Sequence, residues 1–152
     1  MAQHTSAERM EQTIRRYIQA CNDADVEAIA ACFCPEAVHY APSMSKWSGA
    51  ATIAKNFGKM GRELGICWTV DQLLVDTERS AVALEWSSFR NREHTRIVRG
   101  VDWIVFEPET FRIREVRPYL AAPVNSDAPR NELQDFDYAG RGYPTLSAEH
   151  KR

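Results

Sequence analysis

From residue 66 onward the chain carries four long stretches rich in β-branched and aromatic residues, which favour strands. The stretches cover residues 66–76, 80–90, 95–106 and 111–120, and short polar turns separate them. Such links are too short for the crossover that joins parallel strands, so neighbouring stretches must pair as hairpins. This pattern predicts an antiparallel meander as the frame of the fold.

Three helices are predicted ahead of the strands. Thr5 begins a capping-box pattern, and Asp25 is the candidate N-cap of a short second helix that Pro35 ends. Ser48 is the candidate N-cap of a third helix over 49–64. Helices followed by hairpins indicate an α+β fold, with the helices packed on one side of a curved sheet. The buried face of the first helix is predicted to contain Met10, Ile14, Tyr17, Ile18 and Cys21.

The length and charge of the chain weigh against several functions. A chain of 152 residues suits one core, so we expect a single domain over 1–120. The net charge of −2 disfavours nucleic-acid binding. The sequence has no apolar run long enough to cross a membrane and no apolar signal segment at its start. We therefore expect a cytoplasmic protein.

The remaining segment, 121–152, is predicted to be an extension that is either partly disordered or an arm lying over this subunit or its neighbour. Its aromatic residues Phe136, Tyr138 and Tyr143 favour the arm.

The chain has four cysteines, and Cys32 and Cys34 form a C-x-C pair. A second pair at zinc-finger spacing is missing, so we predict structural thiols, no metal site and no cofactor.

Asp102 interrupts the apolar run Val-Asp-Trp-Ile-Val-Phe over 101–106. An ionised and unpaired carboxylate in such surroundings costs several kcal/mol. Asp102 must therefore point to water, to a partner or into a polar pocket. The same alternation turns Val101 and Trp103 to the outer face of the sheet.

Other residues share the predicted inner face. Alternation along 37–41 places His39 and Ala41 on one side of a short strand. Trp86 lies near the middle of its strand, and Trp68 begins the strand before it. On the last strand Val116, Pro118 and Leu120 would complete an apolar wall.

The order of these elements resembles a known superfamily. The two N-terminal helices, the segment 34–42 (Cys-Pro-Glu-Ala-Val-His-Tyr-Ala-Pro), the Trp-Ser-Gly at 47–49 and the four strands are similar to the nuclear transport factor 2-like fold. The nearest likeness is to SnoaL-like proteins and Δ5-3-ketosteroid isomerases, over roughly 6–120. The resemblance implies a cone-shaped, curved antiparallel sheet, lidded by helices and lining a deep pocket.

The resemblance also implies roles for single residues. Tyr17 matches the oxyanion tyrosine of the isomerases, and Asp102 matches their protonated pocket aspartate. Their catalytic base falls on Ala41, so steroid isomerisation by the standard route is not expected. The limonene epoxide hydrolases have an arginine where this chain has Gly100. In SnoaL-type cyclases a single pocket aspartate moves the proton, and Asp102 fits that pattern.

These observations predict a cofactor-independent enzyme for a hydrophobic carbonyl or polycyclic compound. Asp102 and His39 would move a proton as an acid/base couple, and Tyr17 would polarise an oxygen of the substrate. A hydrogen bond from Tyr17 to Asp102 would fit either a catalytic or a structural role for the acid. Cyclisation, dehydration, hydration and isomerisation all fit. The predicted substrate contacts are Trp86, Trp68, Ala41, Phe57, Val116 and Leu120.

Two alternatives remain open. The first is a non-catalytic binder, which would be the conclusion if Trp86, Trp68 and Phe89 filled the interior. The second is a scaffold that uses the outer sheet face and the tail. A homodimer through the outer face is expected in either case. The arginines of the strands are predicted to be solvated or interface charges, with an anionic-substrate clamp as the minor alternative: Arg96, Arg99, Arg112, Arg114 and Arg117.

Overall fold

The computed structural model describes residues 4–41, 45–121, 130–131, 135 and 137–146. Its helices are α1 (Ser6–Asn22), α2 (Val26–Ala31) and α3 (Ala50–Leu64). Its strands are β1 (Phe33–His39), β2 (Trp47–Ser48), β3 (Cys67–Asp76), β4 (Ala81–Phe89), β5 (Ile97–Phe106), β6 (Ile113–Leu120) and β7 (Arg130–Asn131). The predicted α+β class is confirmed.

Local capping explains where the first two helices begin. The Thr5 backbone N–H donates to Glu8 Oε2 at 2.7 Å, and the Glu8 N–H donates to Thr5 Oγ1 at 3.2 Å, which completes the predicted capping box. The Asp25 carboxylate accepts from the Ala28 N–H at 3.0 Å and so caps α2.

The prediction that Ser48 caps α3 is wrong. The N-cap residue is Gly49, which has a φ of 90° and makes no side-chain cap. Ser48 instead lies in β2 opposite Val38, because the chain first pairs with β1 and then turns sharply into the helix. A glycine adopts this positive φ without strain.

The sheet runs in the order β2-β1-β6-β5-β4-β3 and is not closed into a barrel. The predicted meander β3-β4-β5-β6 is antiparallel throughout. One pairing departs from this antiparallel pattern, because β1 pairs with β6 in parallel. The long connection from β1 through β2 and α3 to the meander makes that direction possible.

Pro35 does not end α2 as predicted. The helix ends at Ala31, and Pro35 lies inside β1. The register between β1 and β6 is irregular between Phe33 and Val38, and Pro35 falls in that interval. A proline is tolerated there because the ladder does not require its missing N–H.

The helices cover the inner face of the sheet, where the main core lies. Ile14 of α1, Ile29 of α2 and Ile53 of α3 are fully buried against strand residues such as Leu84 and Ile104. None of the helices within the described residues has both the length and the apolar character needed to cross a bilayer.

The C-terminal segment 137–146 packs over one end of the outer sheet face of the same subunit. Tyr138 is buried, Tyr143 donates a hydrogen bond to Glu85 Oε2 at 2.6 Å, and Leu146 packs on the buried cluster of Cys67, Phe89 and Ile97. Phe136, the third aromatic residue of the predicted arm, lies outside the described residues.

Arg99 lies beneath this segment, so its prediction as a solvated charge is wrong. Its side chain is buried, and its guanidinium lies 3.7 Å from the centre of the Tyr138 ring. The other end of the outer face is open, as the alternation along β5 predicts. Its exposed apolar residues include Leu74, Val101, Trp103 and Tyr119.

Candidate active site

A cavity of about 140 Å³ lies between the helices and the inner face of the sheet. Residues from β1, β3, β4, β5 and β6 all contribute to its wall, so the curved sheet surrounds it. The residues predicted from the sequence that line it are Asp102, His39, Tyr17, Trp86, Trp68, Ala41, Phe57, Pro118 and Leu120. The sequence reasoning did not identify the other lining residues, which are Ile18, Cys21, Trp47, Met60 and Arg90.

Val116 is the one predicted contact that is not part of the cavity wall. It is fully buried and lies opposite His39 on β1 and Ile104 on β5. Val116 does face the inner side of the sheet, as predicted. Its position along β6 places it in the core and not at the cavity.

Asp102 is the central acid of the cavity. Its carboxyl is only 6% exposed, and Oδ1 accepts a hydrogen bond from the Trp86 indole Nε1 at 2.7 Å. Oδ2 receives no hydrogen bond from the part of the chain that the structure describes. Burial raises the pKa of Asp102 to about 7, against the smaller opposing effect of the Trp86 hydrogen bond. Asp102 therefore exchanges a proton readily near neutral pH.

Gly100 allows Trp86 to reach Asp102. The two residues lie directly opposite each other on β4 and β5. A Cβ atom at position 100 would lie 2.5 Å from Trp86 Cζ2 and 2.8 Å from the Tyr119 carbonyl oxygen. The missing side chain thus provides the space in which the indole lies, and this departure from the epoxide hydrolase pattern has a structural reason.

His39 is held in an apolar and aromatic environment. Its ring stacks on Trp47 with a centroid distance of 5.0 Å and meets the edge of Phe57 at 5.2 Å. Burial lowers the pKa of His39 to about 4, and Nδ1 is buried without a hydrogen-bond partner among the described residues. The imidazole is therefore neutral at pH 7, and no carboxylate of the described chain contacts it to stabilise an imidazolium.

Tyr17 lies on the helix side of the cavity and is almost fully buried. Its ring packs edge-on against Phe33 at 5.1 Å and Phe57 at 5.7 Å. Burial first, and then the neighbouring Cys21 and Asp102, raise the pKa of Tyr17 well above its usual value. The hydroxyl therefore keeps its proton. Among the described residues Tyr17 makes no hydrogen bond to Asp102, whose Oδ1 accepts from the Trp86 indole instead.

Phe57 of α3 joins the aromatic walls of the cavity. Besides Tyr17 and His39, its ring contacts Trp47 at 5.4 Å and Trp68 at 5.6 Å, all in edge-to-face geometry. Such contacts fix the rings more firmly than apolar burial alone. Phe89, in contrast, packs in the cluster beneath Leu146, so it does not fill the cavity.

Arg90 is a functional candidate that the sequence reasoning missed. It lies just beyond the end of β4, a position that usually faces solvent, yet it lines the cavity. Its spacing from other residues of the strand could have identified it from the sequence. Arg90 follows Trp86 and Ser88 at intervals of two, so it continues the inner face of the strand.

The sulfur and carboxylate residues of the described chain do not form a metal site. No group of three or more histidine, cysteine or acidic side chains in residues 4–41, 45–121 and the described tail lies close enough to bind a metal ion. The four cysteines are buried free thiols, and the Cys32 thiol donates to the Ala28 carbonyl oxygen at 3.3 Å.

Comparisons with known proteins agree with this architecture. A protein of unknown function with a cystatin-like fold from Methylobium petroleophilum PM1 is 39% identical, with a TM-score of 0.73 over 96% of this chain and 97% of that chain. A putative ketosteroid isomerase from Kribbella flavida DSM 17836 is 18% identical, with a TM-score of 0.63 over 80% and 84% of the two chains.

A third structure is SalBIII, an epoxide hydrolase/cyclase-like enzyme of pyran ring formation in the polyether salinomycin. It is 18% identical, with a TM-score of 0.64 over 76% of this chain and 94% of that chain. These last two similarities show the fold alone. No curated protein sequence matches the chain significantly.

The family model of the SnoaL-like domain matches residues 14–116. This range is most of the described domain, and it contains Tyr17, His39, Trp86 and Asp102. The chain belongs to the SnoaL-like family.

Proposed function

We propose that this protein is a small-molecule enzyme that moves a proton within a compact hydrophobic carbonyl compound without a cofactor. The observation that carries the proposal is Asp102, a buried carboxyl with a pKa of about 7 on the wall of an apolar cavity. A group with this pKa is an effective acid and base at neutral pH.

Asp102 would act first as the base. Its carboxylate takes a proton from the carbon next to the carbonyl, so the C–H bond breaks and an O–H bond forms on Asp102. The electron pair moves to the carbonyl oxygen, where the Tyr17 hydroxyl donates a hydrogen bond. Return of the proton to a different carbon completes an isomerisation. In a dehydration Asp102 would instead protonate a hydroxyl on the neighbouring carbon, whose C–O bond breaks to release water while the enolate electron pair forms the C=C bond. In a ring closure the enolate carbon would form a C–C bond with a second carbonyl, and Asp102 would protonate the resulting alkoxide. One positioned acid/base group contributes about 10²–10⁴-fold to the rate.

His39 has a different role from the one its residue type suggests. With a pKa of about 4 it is a weak base at neutral pH, so the proposed couple of Asp102 and His39 reduces to a single acid/base group. The neutral ring offers one N–H donor and one acceptor, and these would orient an oxygen of the substrate.

The cavity volume narrows the expected substrate. A volume of about 140 Å³ is comparable with engineered apolar cavities of about 150 Å³ that bind benzene. A single ring with a short side chain fits this space, whereas a polycyclic compound requires the cavity to widen. The aromatic rings of Trp47, Phe57, Trp68 and Trp86 line the cavity, and their surfaces suit contact with such a ring.

The test measures the exchange of carbon-bound hydrogen for deuterium in a panel of aryl ketones by NMR. The wild-type protein should accelerate exchange at the carbon next to the carbonyl, and Asp102→Asn should lower that rate at least a hundredfold. Asp71→Asn, which changes a half-buried acid on the opposite face, is the matched control and should keep the activity.

Equal rates for wild type and Asp102→Asn would contradict the proposal. So would the absence of acceleration by the wild type across the panel.

A non-catalytic binding protein is the second candidate, and the methyl group of Ala41 favours it. That position carries no base, although it faces the cavity. A ligand that binds with micromolar affinity and shows no exchange in the wild-type protein would support this alternative.

A further inference from the structure

Arg90 has an unusual position for an arginine. Its side chain contributes to the wall of the cavity, next to the apolar groups of Trp68 and Leu120. The residue is half-buried, and its Nε is buried with no hydrogen-bond partner among the described residues. Since an unsatisfied N–H of a charged group is costly in such surroundings, an acceptor that satisfies it is expected.

No acidic residue of the described chain supplies that group. The salt bridges of residues 4–41 and 45–121 do not include Arg90. Its charged neighbour is Arg96, whose like charge adds to burial in lowering the pKa of Arg90 to about 10. The guanidinium still carries its positive charge at neutral pH, because this value lies well above 7.

Arg90 and Asp102 lie at different positions along the sheet. Asp102 lies opposite Leu84 on β4, and Arg90 lies six residues further along that strand. This is roughly 20 Å of strand backbone. The long arginine side chain covers part of that distance, and both side chains line the same cavity. A ligand that contacts both would carry its anionic group and its reacting carbonyl apart from each other, with a short linker between them.

We propose that Arg90 binds the carboxylate of the ligand, and that the cavity accepts a small hydrophobic monocarboxylate whose carbonyl end faces Asp102. The part of this inference that concerns the carbonyl end rests on the proposed function. The planar guanidinium matches a carboxylate with two parallel hydrogen bonds. A single cation in an apolar cavity of this size suits one carboxylate better than a more highly charged and strongly hydrated group.

The experiment compares two probes of nearly equal shape, 4-oxo-4-phenylbutanoate and its neutral amide, 4-oxo-4-phenylbutanamide. Dissociation constants are measured by calorimetry or tryptophan fluorescence for wild type and Arg90→Met. The wild type should bind the carboxylate at least tenfold more tightly than the amide, as expected for a charge-assisted hydrogen bond. Arg90→Met, which replaces the stem of the side chain with an uncharged one and removes the guanidinium, should lose this preference.

A second measurement, of melting temperatures, tests whether the Arg90→Met variant folds and responds to the ligand. Because Arg90→Met removes a buried N–H that has no partner among the described residues, its melting temperature should equal or exceed that of the unliganded wild type. The carboxylate should raise the melting temperature of the wild type but not that of the variant. Arg114→Met removes an exposed arginine outside the cavity, so it controls for the change in net charge and should keep the preference.

The results separate this inference from the proposed function. If Asp102→Asn loses deuterium exchange on 4-oxo-4-phenylbutanoate but retains the preference for the carboxylate, both proposals stand. A preference for the carboxylate without exchange in the wild type supports the role of Arg90 and contradicts catalysis. Equal affinity for the two probes, binding of neither, or a preference that survives in Arg90→Met overturns the role of Arg90.

Discussion

Each face of the sheet holds an acid and an arginine that are partly or fully buried, and the two faces differ in how many hydrogen bonds these groups receive from the chain. On the outer face Asp71 accepts hydrogen bonds from Thr69 Oγ1 at 2.6 Å and from Ser87 Oγ at 2.5 Å. Arg99 completes this network by donating to Ser87 Oγ at 2.7 Å. On the inner face Asp102 has one donor, the Trp86 indole, within the described residues.

The buried polar atoms without hydrogen-bond partners also differ between the two faces of the sheet. Four buried side-chain atoms lack a hydrogen-bond partner among the described residues, and three belong to the inner face: His39 Nδ1, Ser88 Oγ and Arg90 Nε. Ser88 is assigned to that face because it lies opposite Trp68. His39 and Arg90 line the cavity, whereas Ser88 does not. Buried polar groups are normally satisfied, so these two atoms leave hydrogen-bonding capacity at the cavity that a ligand or a water molecule could use. The outer network is satisfied by the chain itself and therefore indicates a structural role.

The largest expected effect is on the pH dependence of stability. The pKa of Asp102 rises from its ordinary 3.8 to about 7 on folding, so the folded state holds a proton that the unfolded state has lost. The contribution of Asp102 to stability therefore falls as pH rises from about 4 to about 7, by about 4 kcal/mol in total. Asp102→Asn should remove this contribution, so that the variant gains stability relative to the wild type as pH rises, as measured by urea unfolding of both proteins from pH 4 to pH 8.

Asp71→Asn sharpens this prediction. Burial raises the pKa of Asp71, but the hydroxyls of Ser87 and Thr69 and the charge of Arg99 oppose the rise. Its pH-dependent effect should have the same sign and be smaller than that of Asp102→Asn. A larger effect for Asp71→Asn would contradict the comparison of the two faces.

His39 should produce the opposite slope. Its pKa falls from 6.5 to about 4, so the unfolded state binds the proton first as pH decreases. Stability is then lost as pH falls from about 6.5 to about 4, by about 3 kcal/mol. The slopes of His39 and Asp102 partly cancel in the wild type. His39→Gln should remove the loss at low pH and expose the Asp102 slope, while His4→Gln, at an exposed position, should follow the wild type.

Arg99→Met should destabilise the protein at all pH values, by about 2 kcal/mol. The variant loses a charged hydrogen bond to Ser87 and the contact with the Tyr138 ring. Denaturant unfolding at pH 7 measures the change, with Arg114→Met as the exposed control. If Arg99→Met were as stable as the wild type, the outer network would have no structural role.

Tyr143→Phe should have the smallest effect, a loss of about 1 kcal/mol, because it deletes one partly exposed hydrogen bond to Glu85. This hydrogen bond, with a smaller effect of burial, raises the pKa of Tyr143 to about 12. Ultraviolet titration of the tyrosines should therefore lose a component near pH 12 in the variant. The exposed Tyr119→Phe should change neither the stability nor that component.

The sequence predicted the frame of the fold because its signals are local. Strand composition, short turns and the Thr5 capping box depend on neighbouring residues, and those features are confirmed. The parallel pairing of β1 and the position of Pro35 in it depend on contacts with β6 far along the chain, which no local pattern contains.

The same distinction applies to the site. Alternation and the family resemblance pointed to Asp102 and Trp86, but not to the hydrogen bond between them. The buried environments of Arg90 and Arg99 come from tertiary packing, since both have a residue type that is usually solvated. The homodimer through the outer face stays a prediction. Residues such as Val101 and Trp103 are exposed there, while segment 137–146 covers the other end of that face.

The close approach of the Trp86 indole to Gly100 also sets a condition for redesign. The limonene epoxide hydrolases carry an arginine at this position. An arginine introduced here would clash with the indole of Trp86 and with the backbone of β6. Trp86 would have to be shortened in the same step, and Asp102 would then lose its donor. Any mutational route between these two chemistries therefore requires paired substitutions, and single-site libraries at position 100 should return mostly inactive or poorly folded clones.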